Sequence, residues 1–146
     1  MIRLNVKNIK NVQKAISNYG SEATDIIADV IYKTSHEIEV EAKRLAPVDD
    51  GDLQKSIRTE RQKDDFHYRV TAYMPYSAFQ EFGTGGLINV PTEWAQKASR
   101  FRGKGIKKVN MSPQPFMYPA YVRGRTIFNR DMRNELNDLA KRFNNG

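Results

Sequence analysis

Residues 21–47 read SEATDIIADVIYKTSHEIEVEAKRLAP. Ala23, Ile26, Ile27, Val30, Ile31, Thr34, Ile38, Ala42 and Leu45 recur at intervals of three or four. That spacing lines side chains along one side of an α-helix, here for about six turns. Glu22 and Asp25 near the start, and Lys43 and Arg44 near the end, complement the helix dipole. Pro47 stops the helix, because the residue before proline is driven out of the helical region. One long apolar stripe cannot be buried by the helix that carries it. A sheet or a second helix must therefore lie against it.

Toward the N-terminus, Gly20-Ser21 interrupts the pattern, with Ser21 placed to cap the long helix. Val12, Ala15, Ile16 and Tyr19 precede the break at helical spacing. Ile2, Leu4 and Val6 alternate with Arg3, Asn5 and Lys7, the period of a short half-buried strand.

Toward the C-terminus, Val48-Asp49-Asp50-Gly51-Asp52 is a turn set by Asp49 and Gly51. Leu53 to Arg61 is compatible with a short helical turn or the start of a strand. Phe66, Tyr68, Val70, Ala72 and Met74 alternate with polar neighbours. Lys63-Asp64-Asp65 before them predicts a hairpin with 55–62. Pro75 and Gly83 bound a short helix over 76–82, anchored by Tyr76, Phe79 and Phe82. Periodicity is then lost over 84–113, read as a long, flexible, basic loop or insertion with one or two helical turns in 91–101. Residues 119–143 form a terminal helix, with Gly124 a weak point in it. The fold class expected is α+β. A long amphipathic N-terminal helix and a C-terminal helix pack on a small antiparallel sheet, in one domain spanning 1–146.

Residues 1–75 carry as many acidic as basic side chains, so the whole formal charge of +7 falls within 76–146. The chain has no cysteine, which removes disulfide scaffolds, thiol nucleophiles and cysteine zinc sites. No apolar run approaches the ~20 residues of a membrane span, and the start lacks the apolar core of a secretory signal. No membrane partner is expected.

Chemistry-bearing clusters are sparse. His36 falls opposite the apolar stripe and His67 on the polar side of its strand, and neither has a ligand at metal spacing. Asp49, Asp50 and Asp52 lack the distal glutamate of a calcium loop. Gly83, Gly85 and Gly86 are not followed by the Lys-Ser/Thr of a phosphate loop, and no serine sits on a nucleophile elbow. No catalytic residue, cofactor or metal site is expected, and no enzyme. The most distinctive charge feature is Lys97, Arg100, Arg102, Lys104, Lys107 and Lys108, with no acid between them. With Trp94 and Phe101 nearby, such a run can follow a phosphate backbone and stack on bases. It is equally suited to the acidic 21–45 stretch of a neighbouring copy. A small nucleic-acid-binding protein acting through 94–108 is therefore the alternative to an assembly subunit.

Three motifs follow the long helix in order: Ala46-Pro47-Val48-Asp49-Asp50-Gly51-Asp52-Leu53-Gln54-Lys55-Ser56-Ile57, then Tyr76-Ser77-Ala78-Phe79-Gln80-Glu81-Phe82-Gly83-Thr84, then Pro115-Phe116-Met117-Tyr118-Pro119-Ala120. Together, over about residues 20–143, they resemble the gene-product-ten-like family of tailed phages, small head–tail connector or tail-completion proteins of the neck. Asp50 stands where the family turn usually has threonine. The resemblance implies a structural virion protein of a long-tailed phage or prophage. Made in the host cytoplasm, it would form a ring, of six copies, at the neck or the head-proximal end of the tail, around the DNA path. Its partners would be itself, a head-completion or connector protein, and a tail terminator or tail tube, with non-specific contact to genomic DNA. Glu81, Thr84 and Phe116 are the candidates for the subunit interface. The six basic residues of 97–108 are candidates for the DNA lumen or a partner.

Overall fold

The computed structural model describes residues 9–49, 51–84, 92–98, 100 and 111–144. The strand read at Ile2–Val6 and most of the 84–113 loop lie outside them.

Helix α1 spans Ile9–Leu45 and is broken at Gly20, whose φ of 66° and ψ of −145° are not helical. The break thus falls on the glycine itself rather than at a Ser21 cap, because only a residue without Cβ enters this region freely. Beyond it, Ala23, Ile27, Val30, Thr34, Ile38 and Ala42 are buried, while Ile26, Ile31 and Leu45 are partly so. Ala46 still donates its N–H to the Ala42 carbonyl at 2.9 Å, and Pro47 prevents a further turn. The Gln54 side chain donates to the Lys43 carbonyl (2.9 Å), satisfying one acceptor that the helix end leaves open.

Gly51, at φ 81°, turns the chain into α2 (Asp52–Ser56), which passes directly into β1 (Ile57–Arg61). Both readings of 53–61 are therefore realised, one after the other. Leu53 and Ile57 are buried. Strand β2 (Tyr68–Ala72) pairs antiparallel with β1, Ile57 opposite Ala72 and Arg61 opposite Tyr68. Asp64 fixes the hairpin turn, its carboxylate accepting from the Phe66 N–H at 2.9 Å and lying 2.6 Å from His67 Nδ1. One sheet face lies on α1. Tyr68 meets Tyr32 edge-on at 5.8 Å, and Thr59 donates its N–H to Glu39 (2.7 Å) and its hydroxyl to the Ser35 carbonyl (3.2 Å). His36 is half-buried rather than exposed, since Tyr68 and Tyr32 both pack beside its ring.

Helix α3 (Ser77–Phe82) follows, then a 3₁₀ turn at Thr92–Trp94, α4 (Ala95–Ala98) and the long α5 (Met117–Asn144). Phe82 is buried and Phe79 partly so. Tyr76 is exposed and does not anchor the helix as its sequence neighbourhood suggested. Helix α5 runs antiparallel along α1. Arg142 pairs with Glu22 at 2.9 Å, Gly124 lies against Ile38, and Arg123 pairs with Glu41 at 3.1 Å. Gly124 is thus the closest approach of the two helices rather than a weakness. Two apolar clusters result. One joins Ile27 and Val30 to Phe128 and Met132, and the larger joins Ile38 and Ala42 to the sheet, α3, Trp94, Phe116 and Met117. No described helix is long and apolar enough to cross a membrane.

Candidate functional site: the Glu81 corner

Glu81 is the most unusual side chain of the described chain, an acid only 3 % exposed. It sits on the last turn of α3, where Ala78 and Phe82 turn into the core beside it. Its Oε2 accepts from the backbone N–H groups of Phe116 (2.8 Å) and Met117 (2.9 Å), and its Oε1 accepts from Tyr118 (2.9 Å). These are three of the four N–H groups that the first turn of α5 cannot satisfy internally. A carboxylate there also meets the positive end of the helix dipole. Burial pushes the Glu81 carboxyl above the usual carboxylate range, against the three N–H donors, which pull it down.

The strands of chain entering and leaving this corner are stapled together. Gln114 N–H donates to the Gln80 carbonyl at 2.8 Å, and the two glutamine side chains bond at 2.7 Å. Thr84 N–H donates to the Met111 carbonyl (3.2 Å), and Met111 N–H returns a bond to the Thr84 hydroxyl (2.9 Å). Gly83 makes the crossing possible. Its φ is 68°, and a Cβ there would lie 2.6 Å from the Met111 carbonyl oxygen and 3.0 Å from Pro113 N. The excursion between Thr84 and Met111 therefore leaves and re-enters the body through a closed neck.

Glu81, Thr84 and Phe116, read from sequence as interface candidates, are brought together at this one corner. The Glu81 and Phe116 side chains point into the subunit, Phe116 fully buried, and Thr84 is partly exposed. Asp49 is exposed at the turn where Gly51 takes its positive φ. Of the basic run, Arg100 is exposed, and Lys97 belongs to α4 with its side chain outside the described part. Arg102, Lys104, Lys107 and Lys108 lie outside the described residues. Trp94 is buried, its ring 5.8 Å from Phe82 and 5.2 Å from Tyr118, so it is not free to stack on a base. Among the described residues no group of three or more His, Asp or Glu side chains could hold a metal ion.

Sequence reasoning missed Gln80, Met111 and Gln114, since nothing local marks a pairing across more than 25 intervening residues. A glutamate inside an otherwise apolar short helix was the one available signal, and it pointed to the corner without naming the partner.

On the opposite side of α1, Glu41 holds the helices together. Its carboxylate accepts from Arg44 (2.7 and 2.9 Å) and from Arg123 of α5 (3.1 Å). The arginines hold its carboxyl down at about 2. None of this arranges a nucleophile, a base and an electrophile around a cavity. It is the architecture of a subunit whose long helices and excursion are held in fixed relation.

No curated protein and no solved structure matches the chain. A family model does, over residues 9–83, described as "Bacteriophage HK97-gp10, putative tail-component". The match covers α1, the hairpin and α3 through Gly83, and so includes Glu81 but not the helix it caps. The chain belongs to this HK97-gp10-like family of phage tail components.

Proposed function

We propose that the protein is a single-domain, ring-forming subunit of the neck or tail-completion layer of a long-tailed phage or prophage. Copies of the chain, six to a ring, would surround the DNA path and join the tail to the head. Its contacts would be other copies, a head-completion or connector protein on one side, and a tail terminator or tail tube on the other. Its work is assembly, with no catalytic step. The observation that carries this reading is the family match over 9–83. The closed neck at Thr84–Met111 supports it, because a subunit that reaches neighbours with an excursion benefits from fixed exit points. The charge distribution also supports it. The acidic 21–45 stretch and the basic second half are complementary between copies. Glu81, Thr84 and Phe116 are proposed to set the angle at which α5 and the excursion meet the next subunit.

Electron microscopy of phage lacking the gene tests this. Unattached heads and tails are expected, and normal infectious particles would overturn it. The alternative, a DNA-binding protein acting through 94–108, loses one of its stacking aromatics to the core with Trp94. Contact of Lys97, Arg100, Arg102, Lys104, Lys107 and Lys108 with the genome is kept as a secondary role. Reversing Lys104, Lys107 and Lys108 to Glu should weaken DNA retention at low salt. Unchanged retention would remove DNA from the list of partners.

A further inference from the structure

Among the described residues the sheet has only two strands, and its two outer edges differ. Tyr73 N–H donates to the Ser56 carbonyl and Gln62 N–H to the His67 carbonyl. In an antiparallel pair these alternate with positions whose backbone groups face outward. With Ile57 opposite Ala72, the outward positions are Ile57, Thr59 and Arg61 on β1, and Tyr68, Val70 and Ala72 on β2. The β1 edge is closed by its own chain. Ile57 N–H donates to the Gln54 carbonyl, and Thr59 N–H to Glu39. On β2, only the Ala72 carbonyl has a described partner, the Ser77 hydroxyl at 3.4 Å. The outward N–H groups of Tyr68, Val70 and Ala72, and the carbonyls of Tyr68 and Val70, meet none. An open edge on a two-stranded sheet is a template for a further strand.

The chain carries a matching strand. Ile2, Leu4 and Val6 alternate with Arg3, Asn5 and Lys7. That stretch is about as long as the five-residue β2. In the register that continues the buried face of Val70 and Ala72, the three apolar residues join the core side. The three polar ones join the outer face with Arg69. We infer that residues 2–7 of one copy add as a strand to the β2 edge of another.

The donor is a second copy because of where the stretch is carried. Arg142 pairs with Glu22 and α5 ends at Asn144, so the part of α1 before Gly20 begins where α5 stops. The β2 edge lies level with Tyr32 and His36. Measured along α1, Tyr32 is about 34 Å from Ile9, more than the ~24 Å that seven extended residues can span back. The inference rests on the reading that copies assemble, and it specifies how.

The chain has no cysteine, so introduced pairs report on one contact each. Arg3→Cys, Asn5→Cys and Lys7→Cys are each mixed with Arg69→Cys protein under mild oxidation. Cross-strand neighbours stand at the Cβ spacing that a disulfide needs. A disulfide between the two variants is expected from at least one pairing. A chain lacking residues 2–7 should lose the oligomer seen by light scattering for the full chain. No mixed disulfide, or only a bond within one chain in the doubly substituted protein, would overturn the strand addition. Oligomers that form without the cross-link sink this inference alone. A full chain that never self-associates, even with purified neck partners, sinks the ring reading as well.

Discussion

Gly124 of α5 lies so close to Ile38 of α1 that a Cβ at position 124 would fall inside the Ile38 side chain. The crossing of the two long helices is set there, between the Glu41–Arg123 pair on one side and the Phe128 and Met132 cluster on the other. Replacing a mid-helix glycine by alanine ordinarily stabilises by up to ~1 kcal/mol. Here overpacking against a stiff β-branched side chain costs about 1–3 kcal/mol and outweighs it. Gly124→Ala is expected to lower the urea midpoint, and Gly124→Val to lower it further. In a double-mutant cycle, Ile38→Ala should recover most of the Gly124→Ala loss, which additive effects of the two changes would contradict.

Two other glycines share a positive φ but not an environment. At Gly83 an added Cβ meets the Met111 carbonyl at 2.6 Å and Pro113 N at 3.0 Å, both backbone atoms that cannot rotate away. At Gly20 nothing lies within 4 Å, leaving only the conformational strain of about 1–2 kcal/mol. Gly83→Ala should therefore destabilise clearly more than Gly20→Ala. It should also raise proteolytic nicking between Thr84 and Met111, as the neck opens. Equal losses at the two positions would show that the neck is not tightly closed.

The elements with strong local periodicity were legible. The α1 stripe, the hairpin turn at Asp64, the short helix before Gly83 and the terminal helix all stand where spacing and turn residues put them. Each is specified by neighbours within a few positions. What was not legible depends on distant partners. Gly124 reads as a defect until Ile38, 86 positions earlier, is seen against it. Glu81 reads as a corner residue, yet its three donors come from 35 to 37 positions away. Trp94 looks like a ligand-facing aromatic beside a basic run, and only the placement of Phe82 and Tyr118 turns it inward.

Removing the Glu81 carboxylate leaves three N–H groups at the start of α5 without their acceptor. Glu81→Ala is expected to cost about 3 kcal/mol, as buried donors go unsatisfied. Glu81→Gln keeps one carbonyl oxygen but sets an NH₂ against one of the donors, and should cost about half as much. Burial raises the carboxyl above its unfolded value, so the folded state binds its proton more tightly. The associated stability is complete below the unfolded value of about 4.5, and is lost as pH rises through the folded value. Urea midpoints across the mildly acidic range should fall with pH for the parent by more than for Glu81→Gln. Identical slopes would show that Glu81 titrates as it does in the unfolded chain.

Glu41 has the opposite sign. Arg44 and Arg123 hold its folded value at about 2, from an ordinary 4.5. Below its unfolded value the unfolded chain takes up the proton first. The stabilisation is therefore present above about pH 4.5 and is lost as pH falls toward about 2. Glu41→Gln should flatten this part of the acid-unfolding profile while leaving the Glu81 region of the curve unchanged. Because the pair bridges α1 and α5, Arg123→Gln should remove part of the same slope, whereas Arg130→Gln, which faces Asp131 on its own helix, should not. A profile that Glu41→Gln leaves unaltered would place the acid sensitivity of the helix pair elsewhere.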